Sequence, residues 1–248
     1  MLREAVDAVL KSFAKHTGQS GEVDVKEAIG EFWHAKSKDG VPVDLTYESE
    51  ILQDGTYVCY VTLPGGSCFG SFEPCLTKTD AQISAAKIAL MHSVFNDHPS
   101  RIITEKFIDQ AVTEAKENST GNADDNGIEA FSYMLSQNLG KSMLEFQETM
   151  TLFCLLQWNG NLKAMRRSHM KKKDVISLYS HKNVDINLRN NIAKDWVRRE
   201  KKKPGSISDE LKKADDDLKK FRAAGRELRF YKEKKDIIIF ASKTMVVQ

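Results

Sequence analysis

Four cysteines (Cys59, Cys68, Cys75 and Cys154) and six histidines are the side chains of this 248-residue sequence best suited to nucleophilic or metal chemistry. Their spacing fits neither. No Cys-x-x-Cys pair occurs, and His92 and His98 are not joined to a cysteine pair at zinc-finger spacing. Cys68 or Cys75 with His92 would be the thiol–histidine pair to consider, but free buried cysteines are far commoner than nucleophiles. His92 falls on the apolar side of a helical pattern, where a packed, hydrogen-bonded core histidine is the expectation. Residues 64–70 (PGGSCFG) are glycine-rich but lack the Lys-Ser/Thr ending of a phosphate loop and lie between two strand-like runs, so they are read as a hairpin turn. Ser67 is followed two residues later by Phe69 rather than glycine, so there is no nucleophile elbow. Met and aromatic residues at helical spacing are read as core. No catalytic, cofactor or metal residue is assigned, and no enzyme is expected.

The remaining chemistry is charge. Residues 20–97 carry 5 Lys/Arg against 12 Asp/Glu, residues 98–158 carry 4 against 9, and residues 159–248 carry 25 against 12. The formal net charge of +2 therefore hides an acidic front and a basic rear, which informs on partners rather than on fold. Two basic groups stand out: Arg166-Arg167 with Lys171-Lys172-Lys173, and Arg198-Arg199 with Lys201-Lys202-Lys203. The second precedes Pro204, where cations at a helix C-terminus complement its dipole. Lys171 to Lys173 stand before a helix, where the dipole disfavours cations, so with Arg166 and Arg167 they are the better candidate for binding an acidic partner. For nucleic acid the candidates are Lys78 and Lys171, Lys172 and Lys173. The competing reading is that these basic helices are solvated, or lean on the acidic half of the same molecule.

The elements that must position these groups follow from periodicity. Val25, Ala28, Ile29, Phe32 and Trp33 predict a helix over 22–36. Alternation predicts a strand over 43–49, and β-branched and aromatic residues predict another over 56–63 and a short third over 67–72. From Lys78 the period lengthens: Ala81, Ala85, Ile88, Ala89, His92 and Phe95 share one side of a helix that Thr77 or Thr79 caps. Both helices are expected on one face of an antiparallel sheet.

Beyond 97–99 the chain reads as helical. Ile102, Ile103, Phe107, Ala111 and Val112 make one helix, and residues 118–127 form a linker-like loop open to nicking. Asp174 and Asp185 are candidate caps for later helices. A long charged helix from Ser206 is expected to pack on the domain rather than dimerise, since Gly225 weakens its heptads. Asp236 and the run 237–240 predict a terminal strand. The fold class expected is α+β: residues 1–19 an amphipathic helix, residues 20–97 an α-β-β-β-α module, and residues 98–248 a mostly helical region packed on it, with the terminal strand.

A composition of 41% hydrophobic and 29% charged residues is that of a chain that folds. No apolar stretch reaches the length of a bilayer span, and Glu4 and Asp7 break any signal-like core. Cytoplasmic residence and reduced thiols are expected, leaving the sequon Asn118-Ser119-Thr120 idle. A monomer is favoured over a dimer.

The order of elements over 22–96 resembles the double-stranded-RNA-binding domain, as do Phe32 and Trp33, the strand 57–61 (YVCYV) and the alanine-rich helix 84–90. A resemblance covering nearly the whole chain is to the limb expression family, which includes insect lowfat. It rests on residues 60–70 (YVTLPGGSCFG), 140–148 (GKSMLEFQE), 158–160 (WNG) and 227–235 (ELRFYKEKK). It implies a cytoplasmic, non-enzymatic regulator. The insect member acts with the cytoplasmic regions of the cadherins Fat and Dachsous in growth and planar polarity, and vertebrate members are linked to autophagosome maturation. RNA-binding modules of this type need cations facing phosphate. Here the second helix opens with the single Lys78 beside Asp80, the first carries Glu22, Asp24, Glu27 and Glu31, and the strand turn offers Glu50 and Asp54. Nucleic acid is therefore not the expected partner of the module. Two function classes remain: a protein-interaction module, and an RNA-binding protein that uses the basic C-terminal half.

Overall fold

The computed structural model describes residues 4, 6–9, 11–12, 24–37, 43–118 and 125–246. Asp24 starts α1 (Val25–Lys36) by accepting hydrogen bonds from the amides of Lys26 and Glu27. Three antiparallel strands follow in the spatial order β1-β2-β3: β1 (Thr46–Ile51), β2 (Tyr57–Thr62) and β3 (Cys68–Gly70). Thr46 pairs with Thr62 and Ile51 with Tyr57, while Tyr60 faces Gly70 and Thr62 faces Cys68. The turn between β2 and β3 closes through Ser67 and Leu63, whose amide donates to the Ser67 carbonyl at 2.8 Å. Gly65 and Gly66 have φ of 87° and 89°, a region that side chains strain to enter. Thr77, not Thr79, caps α2 (Lys78–Asp97) through the Asp80 amide.

Strand β2 is buried on both sides because the pleat sends alternate residues to opposite faces. Cys59 and Val61, with Phe69 of β3, meet Val25, Ala28 and Ile29 of α1 and Ala81, Ala85, Ile88 and Ala89 of α2. Both helices thus share one face, as expected. Val58, Tyr60 and Cys68 point the other way, onto Leu218 and Leu228.

The covering helices come from the far end of the chain. After a 3-10 turn (Pro99–Arg101) run α3 (Glu105–Asn118), α4 (Asp125–Ser136), α5 (Met143–Asn159), α6 (Asn161–Arg167), α7 (Lys172–Tyr179), α8 (Ile186–Lys202), α9 (Ser206–Ala223) and α10 (Arg229–Val246). A second core joins Leu152, Leu155 and Leu156 of α5 to Ile192 and Trp196 of α8, Ile207 of α9, and Ile237, Ile238 and Ala241 of α10. A third joins Ile103, Ile108, Leu135 and Phe146. The long helix from Ser206 is α9, and it packs on the domain through Ile207, Ala214 and Leu218.

The predicted terminal strand over 236–240 is corrected: these residues lie inside α10. The β-branched run suggests a strand locally, but Ile237, Ile238 and Ala241 are buried together at helical spacing against the second core, and tertiary packing overrides propensity. Smaller corrections also apply. Residues 43–45 are not in β1, which instead runs on to Ile51. Ile102 and Ile103 precede α3; Ile102 bridges to Ser142 and the Ile103 amide donates to the Lys141 carbonyl at 2.9 Å. Asp174 lies in the first turn of α7, whose N-cap is Lys171, whereas Asp185 does cap α8, accepting from the Leu188 amide at 2.7 Å. At the start of α9 the Glu200 carboxylate accepts from the amides of Gly205 and Ile207. The predicted loop at 118–127 is corrected at both ends, since Asn118 ends α3 and residues 125–127 open α4; residues 119–124, with the rest of the sequon, lie outside the described residues, as do Leu2, Leu10 and Phe13 of the predicted N-terminal helix. Residues 6–9 and 11–12 are helical, with Val6 buried.

Candidate partner-binding surface

The four sequence blocks that carry the family resemblance meet in space, and they build seams between elements rather than an open cleft. At the first seam the 60–70 hairpin receives two arginines from the C-terminal helices. Arg229, 8% exposed, donates from Nη1 to the Gly65 carbonyl at 2.5 Å and lies 3.4 Å from Glu148 Oε1. A Cβ on Gly66 would sit 2.7 Å from the Arg229 Cζ. Arg222, also buried, donates to the carbonyls of Ser71 and Phe72, and a Cβ on Gly70 would sit 2.8 Å from its Cγ. Gly66 therefore makes room for a guanidinium group and Gly70 for the aliphatic stem of an arginine, not for phosphate. Glu227 Oε1 accepts from the amides of Cys68 and Arg229, each at 2.9 Å. Burial pushes its carboxyl up to about 7 against the opposing pull of these hydrogen bonds and of Arg229.

The second seam centres on residues 158–160. Trp158 stacks on Trp196 at 5.3 Å between centroids, and its indole N–H donates to Glu210 at 2.8 Å. Lys234 bonds the same carboxylate at 2.9 Å. Asn159 donates to Asp195 at 2.9 Å and accepts from Arg199 at 3.0 Å. Gly160, with φ of 83°, ends α5 in the left-handed region.

The cysteine and histidine candidates settle into structure. Desolvation pushes the Cys68 thiol up to about 12 and raises that of Cys59, the opposite of what a nucleophile needs. His92 stacks on Phe69 at 4.6 Å and its Nε2 lies 2.9 Å from the Gly225 carbonyl; burial holds its pKa below the usual histidine range. Among the described residues no group of three or more His, Cys, Asp and Glu side chains could hold a metal ion.

The predicted cations divide. Arg166 and Arg167 end α6, Lys171 to Lys173 open α7, and the short turn between them includes His169 at φ 61°. All five are exposed, on this turn and the helix ends that flank it. Lys173 reaches Glu129 at 3.7 Å, on the edge of a cleft of about 470 Å³ that Lys116, Tyr133 and Ser136 also line. Lys78 is exposed in the first turn of α2, on a separate element from those five. Other basic groups turn inward: Lys232 pairs with Glu48 at 2.8 Å and Lys235 with Asp215 at 3.0 Å and Glu50 at 3.8 Å. The charge polarity of the sequence is thus partly neutralised where α10 crosses β1. Sequence reasoning missed these pairs because it put part of α10 in a strand; alternation of Lys232 and Lys235 with buried isoleucines at helical spacing was the available signal.

The molecule is an α+β protein in which a small antiparallel sheet is enclosed by helices on both faces, and no helix of the described residues is long and apolar enough to cross a membrane. It matches the Limb expression 1 family over residues 5–244 and belongs to that family. No solved structure matches the chain.

Proposed function

We propose that this chain is a non-enzymatic, cytoplasmic adaptor that binds other proteins, in the manner of regulators of Fat/Dachsous cadherin signalling and of autophagosome maturation. The observation that carries the reading is electrostatic. The α-β-β-β-α order resembles a double-stranded-RNA-binding module, yet its outward surface presents acids where such a module needs cations. Glu27 and Glu31 are exposed on α1, and Asp54 is exposed in the β1–β2 turn with its carboxyl held down by hydrogen bonds from Thr56; Glu48 and Glu50 on β1 are instead paired with lysines of the same chain and add no net negative charge. Phosphate contacts supply most non-specific affinity for a duplex, so this surface repels one. The exposed basic surface of Arg166, Arg167 and Lys171 to Lys173 supports an acidic protein partner in its place, and the seams support a rigid scaffold that presents it.

The test uses the purified full chain with immobilised cytoplasmic segments of Fat- and Dachsous-type cadherins, alongside duplex RNA at low and moderate salt. Retention on a cadherin segment with little RNA capture is expected. No retention on any segment overturns the reading. Capture of duplex RNA that falls steeply with salt, and falls further when Lys171, Lys172 and Lys173 become glutamate, establishes the RNA-binding alternative through the basic half.

A further inference from the structure

The packing of α8 against α10 leaves a second basic surface that differs from the first in having an apolar floor. A groove of about 390 Å³ lies between the two helices. Ala193 and Val197, both buried, form its base. Phe240 stands on the opposite wall, 48% exposed although it is aromatic. Lys194, Arg198 and Lys201 stand along the α8 rim, and all three are exposed. At helical rise the first and last lie about 10 Å apart on one side of the helix. Among the described residues that line the groove, none is an aspartate or a glutamate. The Asp195 carboxylate bonds Arg198 at 2.9 Å, and the Glu200 carboxylate faces the opposite way into the start of α9.

The groove thus combines a buried apolar floor, one half-exposed aromatic ring and three exposed cations on one rim. It suits a ligand with an apolar face flanked by negative charge. We infer that the α8–α10 groove docks an acidic amphipathic peptide segment of a partner protein, with an apolar side chain against Phe240 and Val197 and carboxylates along Lys194, Arg198 and Lys201. This inference rests on the protein-binding reading and assigns it a surface apart from Arg166–Lys173. A helix-in-groove mode fits, since carboxylates three and four positions apart on one helix face match the spacing of the rim. A nucleic-acid strand would match the cations but not the buried apolar base, and Phe240 stands alone rather than in the series of aromatics that stacks successive bases.

The experiment is selection of random 16-residue displayed peptides on the immobilised full chain, followed by fluorescence anisotropy on the enriched sequences. The groove variants are Lys194→Glu/Arg198→Glu/Lys201→Glu and, separately, Phe240→Ser; all four positions are solvent-facing, and circular dichroism checks the fold. Should the charge reversal disturb it, the corresponding glutamine triple takes its place. The expected result is enrichment of acidic sequences with aromatic or aliphatic residues at helical spacing. Their affinity drops at least tenfold on each groove variant and is unchanged by Lys171→Glu/Lys172→Glu/Lys173→Glu. The inference is overturned by failure to enrich such sequences, by equal binding to the groove variants, or by phosphatidylserine vesicles or duplex RNA being the only ligands lost on those variants. Cadherin-segment capture that survives the groove variants overturns this surface while leaving the adaptor reading intact. Peptide binding without any cadherin capture does the reverse.

Discussion

Replacing Glu227 with glutamine should remove a specific pH dependence from the stability of the whole fold. Glu227 ties β3 to the start of α10 through two amide donors, and its burial lifts the carboxyl from an ordinary 4.5 to about 7. A group whose folded pKa is raised holds its proton more tightly when folded. Its contribution to stability is fully present below pH 4.5 and is lost as pH rises through 7. The slope in that window approaches 1.4 kcal/mol per pH unit, giving about 2 kcal/mol between pH 5 and pH 7 and a plateau above. His92 works in the opposite sense: its depressed pKa makes the unfolded chain the better proton acceptor, so its contribution falls as pH drops below 6.5. Asp236, also raised by burial, adds to the trend of Glu227. The wild-type curve alone therefore mixes several groups, and the difference between wild type and Glu227→Gln isolates one. Glutamine keeps an oxygen acceptor for both amides and has no proton to lose. Urea unfolding at pH 5, 6, 7 and 8 should show the wild type losing about 2 kcal/mol relative to the variant from pH 5 to pH 7. A difference that stays flat across that window, or one that rises, refutes the buried-carboxyl reasoning.

The other perturbations can be read in the same unfolding assay. Gly66→Ala should cost about 1–3 kcal/mol, because alanine is strained at φ 89° and its Cβ would collide with the Arg229 guanidinium at 2.7 Å. Ile238→Ala should cost about 2–5 kcal/mol, since this fully buried residue lies in the second core; the half-exposed neighbour Phe240 should tolerate alanine far better, a contrast that follows from the helical facing of α10. Asp185→Ala should cost about 1 kcal/mol through loss of the α8 cap, and Asp185→Asn should retain most of it.

What was legible in the sequence was local. Asp185 at an N-cap, Thr77 before an alanine-rich helix, and Gly65-Gly66 between two strand-like runs each act over a few residues, and all three were readable. His92 was also placed correctly in the core, because its apolar neighbours recur at helical spacing. The residues 236–240 were misread because Ile237 to Phe240 have strong strand propensity and only the distant second core explains their helical burial. Glu200 as the cap of α9 was hidden for a related reason: it acts from the end of the preceding helix across a turn. The basic surface at 166–173 was readable as charge, but the α8–α10 groove was not, since its walls come from helices that sequence cannot bring together. The role of Gly66 and Gly70 was half legible: the turn announces itself, while the arginines that crowd it come from about 150 residues further on.

The double covering of the sheet also sets an order on biosynthesis. The Cys68 amide and the Glu227 carboxylate that meet at the first seam are 159 positions apart. At a translation rate of about 5–20 residues per second, roughly 8–30 s separate their appearance. Throughout that interval the face of β2 and β3 carrying Val58, Tyr60 and Cys68 has no cover. Contacts this distant also slow folding once the chain is free, because loop closure must precede them. The nascent polypeptide is thus a natural client for chaperones that shield apolar strands, and lesions in the last two helices will be felt first as failed maturation of the sheet they close.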